Sequence, residues 1–229
     1  MINELLVSFC QDPNMIMNTS IILFFWASGP YGVKDNTTKK EDNLMKKIIA
    51  IMIFLFVASV SYTAFAGDFK LKSPDLKPGK NLNAEQVFSG FGCTGKNVSP
   101  ALNWEGAPKN TKSFAVTVYD PDAPTGSGWW HWIILNIPAK ITSLPKNAGD
   151  PASGLAPEGS IQCRTDFGTP GFGGACPPAG DKPHRYQFTV YALDVDKLPI
   201  DANASGAMAG FNLHQHTLAK STITVYYSR

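Results

Sequence analysis

The sequence predicts a mainly β domain built from two packed sheets. Three observations lead there. Short apolar runs rich in β-branched and aromatic residues recur beyond residue 67, as at 114–119, 129–137, 186–193 and 222–227. Gly-, Pro- and Asn-rich turns separate them. One stretch alone, 204–220, has the composition of a helix.

The elements come in order along the chain. Residues 68–80 alternate loosely through Phe69 and Leu71 and then meet Pro74 and Pro78, which reads as an edge strand and a loop. Residues 86–100 are Gly-rich and hold Cys93 and Asn97-Val98-Ser99-Pro100. Residues 102–104 form a short strand, and 114–119 a buried one. Asp120-Pro121-Asp122-Ala123-Pro124 stops that strand in a shaped turn, because two prolines cannot continue a ladder. The next apolar run, 129–137, contains one ionisable residue, His131. Residues 138–183 are dense in Gly and Pro and show no helical period, so they read as one long loop, either functional or disordered, with a plain Gly-rich surface loop as the alternative. A strand then starts at His184-Arg185-Tyr186, where His184 and Tyr186 share a face at extended spacing. Met208, Phe211, Leu213 and Leu218 set the expected apolar face of the helix. His214 and His216 read as surface residues.

The chain start needs separate treatment. Lys46-Lys47, the apolar run 48–60 and Ala64-Phe65-Ala66 together form the pattern of a secretory signal peptide, 45–66. The apolar run is shorter than the ~20 residues that span a bilayer, so stable membrane insertion is not expected. Residues 1–44 lie upstream of that signal and read as a doubtful leader, with Met45 as the expected start. The expected domain is 67–229, in the periplasm or outside the cell.

Lysines and arginines number 20 against 18 acids, without basic clusters, which argues against a nucleic-acid partner. Of the four cysteines, Cys93, Cys163 and Cys176 fall in the expected domain. An odd number in an exported chain implies one disulfide and a free thiol, or an intermolecular bridge.

Two acids at a strand end, a histidine inside the next strand and His184-Arg185-Tyr186 can line one pocket if the sheet brings these ends together. Imidazoles and a tyrosine hydroxyl donate hydrogen bonds to an anionic oxygen, and a carboxylate orients or charges a ring. Proline and tryptophan supply a stiff apolar wall. The plainer reading makes Asp120 and Asp122 turn caps and His131 a satisfied core residue.

Asn97-Val98-Ser99-Pro100, Asp120-Pro121-Asp122-Ala123-Pro124, Trp130-His131-Trp132 and Cys176-Pro177-Pro178 leading to His184-Arg185-Tyr186 resemble the phosphatidylethanolamine-binding protein family, also called Raf kinase inhibitor protein-like. The resemblance is strongest to its exported bacterial YbhB/YbcL-like branch. It implies a two-sheet antiparallel β-sandwich with one or two short helices and a small anion-binding cavity at one end. It further implies a lining of Asp120, Asp122, Pro124, His131, Pro178, His184 and Tyr186, with Cys93 bridged to Cys176 and Cys163 unpaired. The family carries no metal or cofactor there. Eukaryotic members add a C-terminal helix near the pocket, whereas this sequence stops after a strand. Their kinase-inhibitor role is not carried to an exported chain.

The expected function is therefore non-enzymatic binding of a small anionic or phosphorylated ligand. The alternative is an inhibitor or modulator of a protein partner, such as a protease or signalling protein. A hydrolase ranks last, because no Gly-x-Ser-x-Gly elbow is present. Oligomeric state, a homodimer included, is left open.

Overall fold

A computed structural model describes residues 46–49 and 68–229. Residues 46–49 are helical. The rest of the expected signal peptide and the 1–44 leader lie outside the described residues. The chain divides into two units, Met1–Thr63 and Ala64–Arg229.

Among the described residues of the second unit, ten strands and one α-helix run in the order β1 Lys70–Lys72, β2 Ser89–Gly90, β3 Cys93–Thr94, β4 Leu102–Glu105, β5 Ser113–Asp120, β6 Trp129–Pro138, β7 Ser143–Leu144, β8 Ile161–Gln162, β9 His184–Leu193, α1 Gly206–His216 and β10 Thr217–Tyr227. A five-stranded sheet has the order β10-β9-β5-β6-β8, and a three-stranded sheet the order β1-β4-β7. Every ladder between these strands is antiparallel. β2 and β3 form a separate hairpin. This is the mainly β, antiparallel sandwich-like architecture that the sequence implies.

The two sheets pack through one apolar layer. Leu71, Trp104 and Leu144 from the small sheet meet Phe114, Trp132 and Phe188 from the large one. The opposite face of the large sheet is also covered: Ala115, Ile133, Leu135 and Leu193 pack with Ala209 and Leu213 of α1. Burial on both faces explains why β5 and β6 read as unbroken apolar runs rather than alternating ones. Each fully buried Ile or Leu contributes about 1.5–3 kcal/mol of transfer free energy.

α1 begins at Ser205, whose backbone is extended and whose hydroxyl accepts from Met208 N. That is a helix N-cap. The helix is shorter than 204–220, because Thr217 returns to extended backbone and pairs with Leu193. β10 is correspondingly longer than the expected 222–227. The apolar face also differs. Only Leu213 of the four expected residues is buried; Met208 and Phe211 are 50% and 60% exposed. Trp130 decides this. A Cβ on Gly206 would stand 2.3 Å from Trp130 Cδ1, so the helix lays its small residues against the indole.

The long loop at 138–183 holds more order than the sequence implies: β7, β8 and a 3-10 turn at Pro151–Ser153. Its Gly-rich part is held tightly. Asn97 donates to Phe172 O at 3.1 Å and accepts from Gly174 N at 2.7 Å. Ser99 Oγ accepts from Gly149 N at 2.8 Å. The Asn97-Val98-Ser99-Pro100 motif is thus a clamp on that loop. A Cβ on Gly173 would stand 2.2 Å from the Phe167 ring, so glycine serves close approach there rather than flexibility.

Candidate ligand-binding site

β5 and β9 are neighbours, and their register sets the site. Asp120 ends β5 while His184 opens β9 beside it. His184 Nδ1 lies 2.8 Å from Asp120 Oδ2, and both side chains are buried. His184 Nε2 lies 3.3 Å from Asp181 Oδ2. Carboxylates only accept, so donation to both needs both ring hydrogens, that is, the imidazolium form. The other Asp120 oxygen accepts from Asp122 N at 2.8 Å, which is the capping role the plainer reading gives it. Asp120 therefore both closes the turn and holds the imidazole.

A cavity of about 230 Å³ opens over this pair. Its polar lining is Asp120, His184, His131 and Tyr186. Pro124, Thr125, Pro177 and Pro178 form stiff walls, and Cys176 stands beside them. Phe91, Phe167 and Trp129 close the aromatic side. Of the residues expected at this pocket, Asp120, Pro124, His131, Pro178, His184 and Tyr186 come together. Asp122 does not join them. Its carboxylate accepts from Arg185 N, Nε and Nη2 at 2.7–2.9 Å, and it lines a neighbouring surface cavity instead. Those hydrogen bonds hold its carboxyl at about 2, below the usual carboxylate range.

His131 is fixed by the Gly-rich loop. Its Nδ1 donates to Gly173 O at 2.8 Å, and Gly173 N donates back to His131 O at 2.8 Å. Its ring meets Tyr186 and Phe167 edge-on at 5.1 Å and 5.4 Å. Burial pushes its pKa down, opposed by the Gly173 bond and by Asp120. Tyr186 is 1% exposed, and burial pushes its hydroxyl far up, so it stays a neutral donor. Trp129 Nε1 is buried without a hydrogen-bond partner, and the buried Tyr186 Oη faces the Asp120 carboxylate and the Cys176 backbone without a well-formed bond to either.

Cys93 and Cys176 are bridged, with Cα atoms 6.0 Å apart. The bridge ties the β2–β3 hairpin, which carries Phe91, to the pocket wall. Cys163 is free and buried among the residues under α1. His214 is exposed, and His216 bonds Asp194, both remote from the cavity-lining residues.

Residues 72–228 match the family model described as phosphatidylethanolamine-binding protein. The chain belongs to that family. It is 52% identical over 183 residues to YbcL of Escherichia coli, covering 80% of this chain and 98% of YbcL. To YbhB of the same organism it is 53% identical over 161 residues, covering 69% of this chain and 99% of YbhB. The crystal structure of YbcL superposes with a TM-score of 0.70 at 56% identity, covering 71% of this chain and 99% of that one. The function is accordingly the non-enzymatic ligand binding of the family. An alignment of 183 residues must begin near Lys47 or earlier, so the likeness to YbcL runs through the signal-like segment. The protein is an exported one, periplasmic or secreted. Among the described residues no helix is long and apolar enough to cross a membrane.

Sequence reasoning misses Trp129, Phe91 and Phe167. Trp129 is findable: it precedes His131 by two in a strand and so shares its face. Phe91 and Phe167 arrive on loops, and no periodicity marks them.

Proposed function

We propose that the cavity over Asp120 and His184 binds the phosphate-like group of a small anionic ligand. One observation carries this reading. Two buried donors on the wall of a cavity large enough for a phosphate monoester lack a well-formed bond: Trp129 Nε1, and Tyr186 Oη, which faces the Asp120 carboxylate. Buried donors without partners are costly and are rarely kept without a role. Ligand oxygens would satisfy both.

Titration calorimetry with phosphoethanolamine tests the reading. Wild type binds, and Tyr186→Phe binds roughly 5- to 10-fold more weakly, as expected for one hydrogen bond. Absence of binding in wild type sinks the proposal. A protein partner is the second reading. It is favoured by Phe91, 69% exposed at the tip of the bridged hairpin beside the cavity.

The same proposal takes 45–66 as a cleaved signal peptide and 67–229 as the working domain. The likeness to YbcL through this segment supports it. Intact-mass analysis of exported protein is expected to find Gly67 first; a mass that includes residues before Met45 overturns it.

A further inference from the structure

The cavity does not present donors alone. His131 Nδ1 faces the Gly173 carbonyl oxygen at 2.8 Å. A carbonyl only accepts, so that nitrogen carries the hydrogen, and in the neutral ring Nε2 is a bare lone pair. Nε2 has no partner among the described residues, and the ring lines the cavity. The groups facing this ring are the Asp120 and Asp166 carboxylates, the Tyr186 phenol, the Phe167 ring and the Gly173–Gly174 backbone. None of them donates to Nε2. Burial favours the neutral ring.

The charge balance points the same way. Asp120 and His184 offset each other. Among the described residues no lysine or arginine lines the cavity; Arg185 is bound to Asp122 outside it, and Arg229 Nε donates to the carbonyl of the wall residue Pro177 at 2.7 Å. The lining side chains themselves offer no surplus positive charge for a dianion. The hydrogen-bonding groups left for a ligand are two donors, Trp129 Nε1 and Tyr186 Oη, the latter facing the Asp120 carboxylate without a well-formed bond, and one acceptor, His131 Nε2.

We propose that the cavity selects a phosphate group that still carries one hydrogen. The P–OH donates to His131 Nε2, while other oxygens accept from Tyr186 Oη and Trp129 Nε1. The ligand class is a phosphate monoester bound in its singly charged form. This inference rests on the phosphate-type reading above and adds a selection rule to it. A sulfate monoester has the same shape and the same single charge but no hydrogen, so one of its oxygens would face the His131 lone pair. Below the second phosphate pKa of about 6 the ligand brings the hydrogen itself; above it, the complex takes one proton from solvent.

Calorimetry on the intact chain with methyl phosphate and methyl sulfate decides this, run in two buffers of different ionisation heat. At about pH 6, methyl phosphate is expected to bind roughly 10- to 100-fold tighter than methyl sulfate. At about pH 8, methyl phosphate binding is expected to take up close to one proton per site. In His131→Gln the side-chain amide brings its own N–H, so the preference over methyl sulfate shrinks severalfold. Should that variant not fold, the two-buffer comparison on wild type stands alone. Equal affinity of wild type for both esters, or no proton uptake at about pH 8, overturns the inference and leaves the phosphate-type reading standing. No binding of either ester removes that reading and this inference with it.

Discussion

His184 Nδ1 donates to Asp120 Oδ2 at 2.8 Å, with the two side chains only 5% and 3% exposed. Such a pair is weak evidence of net stability, since both groups lose water. Removing one partner is a different matter, because it strands the other. Asp120→Ala is expected to destabilise the fold by about 3–5 kcal/mol. Asp181→Ala removes the other carboxylate on His184, but that side chain is 39% exposed. It is expected to cost under about 1 kcal/mol. Urea denaturation of the two variants gives the comparison, and equal losses would show that Asp120 does not anchor the imidazole.

The Cys93–Cys176 bridge joins residues 83 apart in sequence. In the chain-entropy picture, closing a loop of that size contributes about 4–5 kcal/mol, with measured bridges commonly at about 2–4. Cys93→Ser with Cys176→Ser is expected to lower the guanidinium midpoint and to loosen the hairpin bearing Phe91. Cys163 is buried, and burial pushes its thiol up to about 11. Alkylation followed by peptide mapping is expected to leave Cys163 unlabelled in folded protein and labelled in guanidinium. Rapid labelling of Cys163 in the folded state would contradict its place under α1.

Much of this site is legible in the sequence because strands carry it. Asp120, His131, His184 and Tyr186 stand at strand ends or on strand faces, where period-2 spacing fixes direction. Asp122 escapes that logic because turn acids look alike in sequence; which one turns inward is set by Arg185, whose backbone and guanidinium capture Asp122. The hydrogen-bonding state of His131 is not legible either. It depends on Gly173, 42 residues away, which only the folded loop brings to Nδ1. The exposed face of α1 is misleading because Met208 and Phe211 outweigh glycine in any hydrophobic count, whereas Trp130 selects the glycines.

Asp122 gives an acid-side prediction. Its folded pKa of about 2 lies below the unfolded value of 3.8. The unfolded chain therefore binds the proton first as pH falls. The contribution of the Asp122–Arg185 contact is present in full above about pH 4 and is lost as pH falls toward about 2. Both side chains are partly exposed, so solvent and salt reduce it. The stability difference between wild type and Asp122→Asn is expected to shrink between those two pH values. A difference that stays constant across that range would mean the contact does not discriminate between the charged and neutral carboxyl.

His131 governs a different window. Its folded pKa is pushed below the ordinary 6.5 by burial, so the unfolded chain again takes up its proton first. Stability from this residue is fully present above about pH 6.5 and falls as pH drops below it, until the folded ring protonates too. The slope cannot exceed about 1.4 kcal/mol per pH unit for one group. His131→Asn keeps an N–H available for Gly173 O but removes the titration, so its stability is expected to change less between about pH 6.5 and 5. Denaturation midpoints across that interval supply the test. Equal slopes would mean that the ring charges as readily in the folded protein as in the unfolded chain. Below about pH 6.5 Nε2 would then carry a hydrogen in the cavity, and the site would there receive anions through a cation rather than through a lone pair.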